Sequence, residues 1–302
     1  MKKTFNIILS LLIIGLLIYY IDPITDMIAN LLAGEKKVYI ERENEYAKKD
    51  SFKYVSLTKD FVPYNYQDLL NIYYTVLNNG TENFTFYCPD EYTSCMDDVT
   101  NISQDEVILT HITNFVHPYN NFSNVKVKRD SSGEITINVT HLYNEEEIEK
   151  INQEVDKIMA STINTEMKTQ EKIKVFHDYV INNTKYDSNY EKGGGYKESS
   201  KANGLLFNHY SVCGGYADVM AIFLSKLNVK NYKVASDTHV WNALYLSDEN
   251  KWVHLDLTWD DPVTVNSDVD TLLHKFYLID TKSLEEFKTD NHNFDKTIYQ
   301  EL

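Results

Sequence analysis

The 302-residue chain is short of positive charge, of cysteine and of metal-ligand spacing, and each shortage excludes something. Lysine and arginine number 29 against 45 aspartate and glutamate, a formal net charge of −16. A field of that sign repels phosphate backbones, which excludes nucleic acid as a natural partner and favours neutral or cationic peptides. Cys and His nowhere show the paired spacing of a zinc site, and Asp260, Asp261, Asp268 and Asp270 lack the regular spacing of a calcium loop. No metal or other cofactor is expected. No internal repeat is visible, so a solenoid is excluded.

What is present supports a folded, exported protein. Apolar residues make up 43 % of the chain and charged residues 25 %, enough to bury a sizeable core. Lys2 and Lys3 precede FNIILSLLIIGLLIYYI (residues 5–21), a run without charge, and beyond Asp22 the apolar residues Pro23, Ile24, Met27 and Ile28 extend it. About 20 such residues span a bilayer, so residues 1–33 read as a signal-anchor with its lysines in the cytoplasm. A secretory peptide cleaved near Leu32-Ala33-Gly34 is the alternative. Both place the folded part outside the cytoplasm. Cys88 and Cys95, close together in FYCPDEYTSCM, would bridge in an oxidising compartment, leaving Cys213 as an odd thiol.

Pattern then divides the rest. Residues 34–52 are charged and aperiodic and read as a stalk. Leu69, Leu70, Tyr73, Val76 and Leu77 recur at helical spacing. Ser103, with Asp105 and Glu106 behind it, opens a second helix that stops at Pro118. VKVKRDSSGEITINV (125–139) alternates around a Ser-Ser-Gly turn, a hairpin signal. Residues 53–143 thus form a small α/β accessory domain. From Asn144 to residue 302 the pattern first turns helical, with acids in a first turn and then Ile173, Phe176, Tyr179 and Val180 as a core stripe. A polar loop with three consecutive glycines (193–195) follows. Then comes a helix from Cys213, with Tyr216, Ala217, Met220, Phe223, Leu224 and Leu227 on one side.

Cys213 sits where chemistry could use it. A helix N-terminus stabilises a thiolate, and a nearby histidine adds to the effect. Gly214 and Gly215 would keep the space round the sulfur clear for a substrate backbone. The bland alternative is a buried cysteine filling a gap. Downstream, THVWNALYLSDENKWVHLDLTWDDP (238–262) reads as a hairpin with a Ser247–Asn250 loop. Pairing Leu246 with Lys251 sets Asp256 opposite Trp241 and diagonal to His239. The same register gathers Val240, Leu244, Leu246, Val253, Leu255 and Leu257 on the other, apolar face. A slip of one residue would separate His239 from Asp256, so the apolar pattern itself argues for the pair. Nucleophile, base and orienting acid are then Cys213, His239 and Asp256. His254 shares their face but lies farther from the helix end, and His177 and Asp178 read as packing or surface residues.

The order VCGGYA, then HVWN, then WVHLDLTW resembles the transglutaminase-like core, a papain-related superfamily. FHDYVINNTKYD, HKFYLID and His292-Asn293-Phe294-Asp295 resemble other parts of it. The resemblance spans about residues 150–302. It implies an α+β fold with the catalytic helix packed on an antiparallel sheet, and the same three residues as nucleophile, base and orienting acid. Such proteins act through a thioester as transglutaminases, peptidases or amidases, on peptide or side-chain amide bonds. For this chain the expected substrate is a peptide or protein of the envelope or cell surface. Oxyanion or cleft candidates are the Cys213 amide, Tyr210, Asn208, Tyr186 and Trp241. The rival expectation is a non-catalytic peptide-binding module that keeps the fold and lines its cleft with Trp241, Trp252, Tyr245 and Trp259.

Overall fold

Caps and turns, more than propensity, decide where the elements of this mixed α/β protein begin. The computed structural model describes residues 38–40, 42–47, 52–130, 133–190, 192–263 and 271–302. Helix α1 (Tyr66–Asn78) starts at Asn65, whose side chain accepts from the Asp68 amide, and it buries the apolar stripe read from the sequence. Strand β1 (Asn83–Tyr87) follows. An unexpected helix, α2 (Cys95–Gln104), begins at the Cys88–Cys95 disulfide, and the helix expected to open at Ser103 starts instead at Glu106 as α3 (Glu106–Asn114). Asp105 divides them. It is extended, and its carboxylate caps the amides of Val107 and Ile108. The hairpin β2 (Phe122–Arg129) and β3 (Glu134–His141) then completes an antiparallel sheet of order β1-β3-β2.

The second half is built round one buried helix. Asn144 and Glu147 form a capping box at the head of α4 (Glu145–Thr162), and α5 (Thr169–Asn182) follows. A short parallel pair, β4 (Lys185–Tyr186) with β5 (Tyr210–Ser211), leads into α6 (Cys213–Lys226). Next come β6 (Asn231–Ala235), β7 (Val240–Leu246) and β8 (Lys251–Leu255), antiparallel in that order. A single turn, α7 (Leu257–Asp260), and the short α8 (Thr281–Glu286) close the chain's regular structure. The core joins Ile173, Phe176 and Val180 of α5, Phe223 of α6, and Leu244, Leu246, Val253 and Leu255 of the sheet. Phe176 and Phe223 stack at 3.8 Å. Burial of each such side chain contributes about 1.5–3 kcal/mol.

The sheet's other face is covered as well. Residues 276–299 lie across it, bridging Ser236 to Phe294 and His254 to Ile279, so Trp241 and His254 are buried where the sequence suggested an open functional face. Strand β6 has no counterpart in the sequence reading, because Lys233 at its centre breaks the apolar run. The structure explains that lysine: its ammonium lies 2.6 Å from Asp218 Oδ1, and Tyr143 donates to Asp218 Oδ2. A buried charge is tolerable only when paired in this way.

Residues 40–302 form one compact unit. Phe115 of the 53–143 portion and Phe52 just before it pack on Tyr232 of β6, and Tyr299 Oη binds the Ala235 amide and the Asn114 side chain. The described part of the expected stalk is docked as well: Tyr46 stacks on His117 at 4.1 Å and Phe52 is buried. The expected membrane span at residues 1–33 lies outside the described residues. Among those described, no helix is long and apolar enough to cross a membrane.

Candidate active site

Cys213 is the first residue of α6, half-buried, with extended Val212 before it. The two glycines behind it answer to the protein and not to a substrate. A Cβ at Gly214 would lie 2.8 Å from the Ser200 carbonyl oxygen, and one at Gly215 would lie 2.2 Å from Ser211 Oγ and 2.7 Å from the Lys201 carbonyl. They let the first turn of α6 rest on the 199–201 backbone, which fixes where the sulfur stands. The expectation that they clear the groove is thus corrected.

The hairpin brings the other two groups. Leu246 pairs with Lys251 and the ladder runs to Asn242 and Leu255, the register that the alternation implies. Continuing it by one step sets Trp241 against Asp256 and leaves His239 diagonal to it. His239 is buried, its amide donates to Ser236 Oγ, and its ring lies nearly parallel to that of Trp241, 15° apart with centroids at 5.6 Å. His239 Nε2 lies 2.7 Å from Asp256 Oδ2. Cys213 and His239 line the same cleft, and with Nε2 taken by Asp256 it is Nδ1 that is left for the sulfur.

Asp256 accepts on every side. Oδ1 takes the amides of Thr258 and Trp259 at 2.9 and 3.2 Å, because Asp256 also caps α7. Oδ2 takes His239 and, at 2.8 Å, His292 Nε2. Burial works to raise its pKa. The charge and hydrogen bond of His239, and the hydrogen bond of His292, override that and hold the carboxyl well below the usual carboxylate range. Burial by itself would lower His239. The Asp256 carboxylate, with the Cys213 side chain, outweighs it and pushes His239 up to about 10. His254 differs. Burial and then the nearby His292 lower it to about 3, and as a neutral ring it accepts from Trp241 Nε1 and meets Thr281 Oγ1 at 3.0 Å.

These shifts set a pH profile for folding. His239 is raised, so its contribution is complete below its unfolded value of about 6.5 and is lost as pH rises toward 10. His254 is depressed, so its contribution is present above about 6.5 and is lost as pH falls toward 3. Asp256 is depressed too, and its contribution goes below the unfolded value of about 3.9. Unfolding free energy should therefore peak near pH 6.5 and fall on both sides, by at most about 1.4 kcal/mol per pH unit for each group. Denaturant titration at about pH 5, 6.5 and 9 checks it; stability still climbing from 6.5 to 9 contradicts the assignment.

A cleft of about 310 Å³ opens on the sulfur, lined by Tyr186, Cys213, His239, Thr258, Trp259 and Asp261 among others. Tyr216 Oη donates to Asp261 Oδ2 and ties that wall to α6. Of the oxyanion candidates, Tyr186 lines this cleft. Trp241 does not: its Nε1–H is given to His254. Asn208 is exposed, and Tyr210 stacks on Tyr196 at 4.9 Å; neither lines the cleft. The aromatic lining expected of a peptide binder reduces to Trp259, since Trp241 is buried, Trp252 packs on Tyr232 and Tyr245 packs on Trp252.

Among the described residues, two groups each hold ligand-type atoms within 4.8 Å of one another: His239, Asp256 and His292, and separately His177, Asp178 and His274. In the first, each imidazole Nε2 is matched to a carboxylate oxygen. In the second, the Lys174 ammonium lies 2.6 Å from Asp178 and 2.9 Å from His274 and supplies the cation itself. His177 also faces Asp260, whose Oδ1 holds the amides of Lys275 and Phe276, so the group secures α7 and the segment beyond it. His292 is the site residue that sequence pattern could not place, because nothing in spacing links it to Asp256, 36 residues earlier.

Residues 156–257 match the transglutaminase-like superfamily. A peptide-N(4)-(N-acetyl-beta-glucosaminyl)asparagine amidase of Caenorhabditis briggsae is 37 % identical over 62 residues, covering 20 % of this chain. The chain spans 10 % of that relative's length. A solved structure described as a TGase matches with a TM-score of 0.35 and 16 % identity, over 50 % of this chain and 47 % of the other.

Proposed function

We propose that the transglutaminase-like core of this chain is a cysteine acyl-transfer enzyme working on amide bonds through a thioester. The observation that carries the reading is the 2.7 Å contact of His239 with Asp256, made by a ring that lines the same solvent-open cleft as Cys213. The Cys213 sulfur, as thiolate, attacks the amide carbonyl. His239 Nδ1–H gives its proton to the leaving nitrogen, the C–N bond breaks and a thioester remains. Neutral His239 then takes a proton from the incoming water or amine. That nucleophile's bond to the acyl carbon forms, the C–S bond breaks, and the thiolate–imidazolium pair is restored. Asp256 keeps the ring in the tautomer that both halves require. Water as acceptor makes the enzyme a peptidase or amidase, and an amine makes it a transglutaminase. The partial likeness to an amidase agrees with an amide as the bond attacked.

The substrate we assign is a peptide or protein of the cell envelope or surface, with the catalytic part held outside the cytoplasm by the N-terminal segment. The disulfide at Cys88 and Cys95 supports that compartment. Recovery of the full chain in a soluble cytoplasmic fraction with both thiols reduced would refute the placement. For the reaction, the test is mass spectrometry of the full chain after incubation with a cell-surface peptide extract. An acyl group on Cys213, lost on hydroxylamine treatment and absent in Cys213→Ala, is the expected result. No adduct and no altered peptide would sink the reading.

A further inference from the structure

His292 has no place in a three-residue mechanism, yet it touches the centre of one. It lies on the short turn Asp290–His292, and its Nε2 sits 2.8 Å from the same Asp256 oxygen that His239 holds at 2.7 Å. The two rings stand nearly perpendicular, at 89° with centroids 5.4 Å apart, so each can direct an N–H at one lone pair of Oδ2. Thr289 Oγ1 lies 2.9 Å from His292 Nδ1, which makes Nδ1 the acceptor and Nε2 the donor in the neutral ring. Phe276 stacks on it at 5.0 Å and Trp259 meets it edge-on at 4.8 Å, so the ring is fixed and dry.

We propose that His292 is a positioning residue that tunes His239 through Asp256; this rests on the acyl-transfer reading above. A carboxylate oxygen shared by two N–H donors offers each a weaker bond than it would offer one alone. With His292 in place, Asp256 orients His239 without holding its proton too tightly, and the imidazolium stays acidic enough to protonate a leaving amine. Without it, Oδ2 bonds His239 alone, the imidazolium is over-stabilised, and proton delivery to nitrogen slows.

The test reads the hydrogen bond itself. Proton NMR of the full chain near pH 7 should show two strongly downfield imidazole N–H resonances, one from His239 and one from His292. In His292→Leu one disappears and the His239 resonance moves further downfield. In His292→Gln, whose amide keeps a donor toward Oδ2, the His239 resonance stays near its original position. Thr289→Val, which loosens the ring without removing it, should move the His239 resonance by less than Leu does and in the same direction, and it serves if His292→Leu does not fold. A His239 resonance unmoved in both Leu and Val variants, or displaced equally by Gln and Leu, overturns the proposal. The signal exists whether or not Cys213 ever carries an acyl group, so failure here is distinct from failure of the proposed reaction.

Discussion

Replacing Asp256 by asparagine is expected to lower the rate of amide cleavage or transfer by about 10⁴, with a smaller effect on substrate binding. The carboxylate accepts four hydrogen bonds, two on each oxygen, all from N–H groups. An amide has one accepting oxygen and one donating nitrogen. If its oxygen stays with the Thr258 and Trp259 amides, its NH₂ confronts both imidazoles, and His239 must turn over its tautomer or lose its partner. If it flips, NH₂ faces two backbone N–H groups instead. Either arrangement leaves buried donors unmatched, which costs about 1–3 kcal/mol of folding stability in addition to the kinetic loss. Single-turnover acylation of the purified variant, beside its denaturation curve, measures both. A variant that keeps a rate within tenfold of the parent would remove Asp256 from the mechanism.

Why the His239–Asp256 contact is legible in the sequence lies in the hairpin. Placing Val240, Leu244, Leu246, Val253 and Leu255 on one face favours a single register, and that register sets His239 diagonal to Asp256. Cys213 was legible for a similar reason: the apolar spacing that follows it marks a helix start. Other features depend on contacts between segments far apart, which no local pattern encodes. Lys233 hid β6 because its partner, Asp218, lies on α6. Gly214 and Gly215 are explained by the 199–201 backbone packed against them, a contact that no local pattern announces. His292 reaches Asp256 from an irregular segment whose course is set by Phe276, Ile279 and Phe294 packing over the sheet. The rings of Phe52, Phe115, Tyr232 and Tyr299 likewise meet only once both halves are folded.

The second large effect concerns the imidazole. Burial would lower His239, but Asp256 and then the Cys213 side chain push it up to about 10, which favours a positive ring on the cleft that Cys213 also lines. A cation close to a cysteine favours its reactive form, so the ring's removal tests whether the two side chains act together. Replacing His239 by alanine removes the cation, the general acid and the general base together, so acyl transfer should fall by about 10⁶, as much as loss of the nucleophile itself. The sulfur remains in place on α6 and its reactivity can still be measured.

That measurement is the alkylation of Cys213 by iodoacetamide in a mildly acid buffer, followed by mass spectrometry of the full chain and of its His239→Ala variant. If sulfur and imidazole work as one unit, the parent reacts quickly and the variant at least about tenfold more slowly. Equal rates in the two would mean that the ring does nothing for the sulfur, and the account of Cys213 as the nucleophile would fall with it.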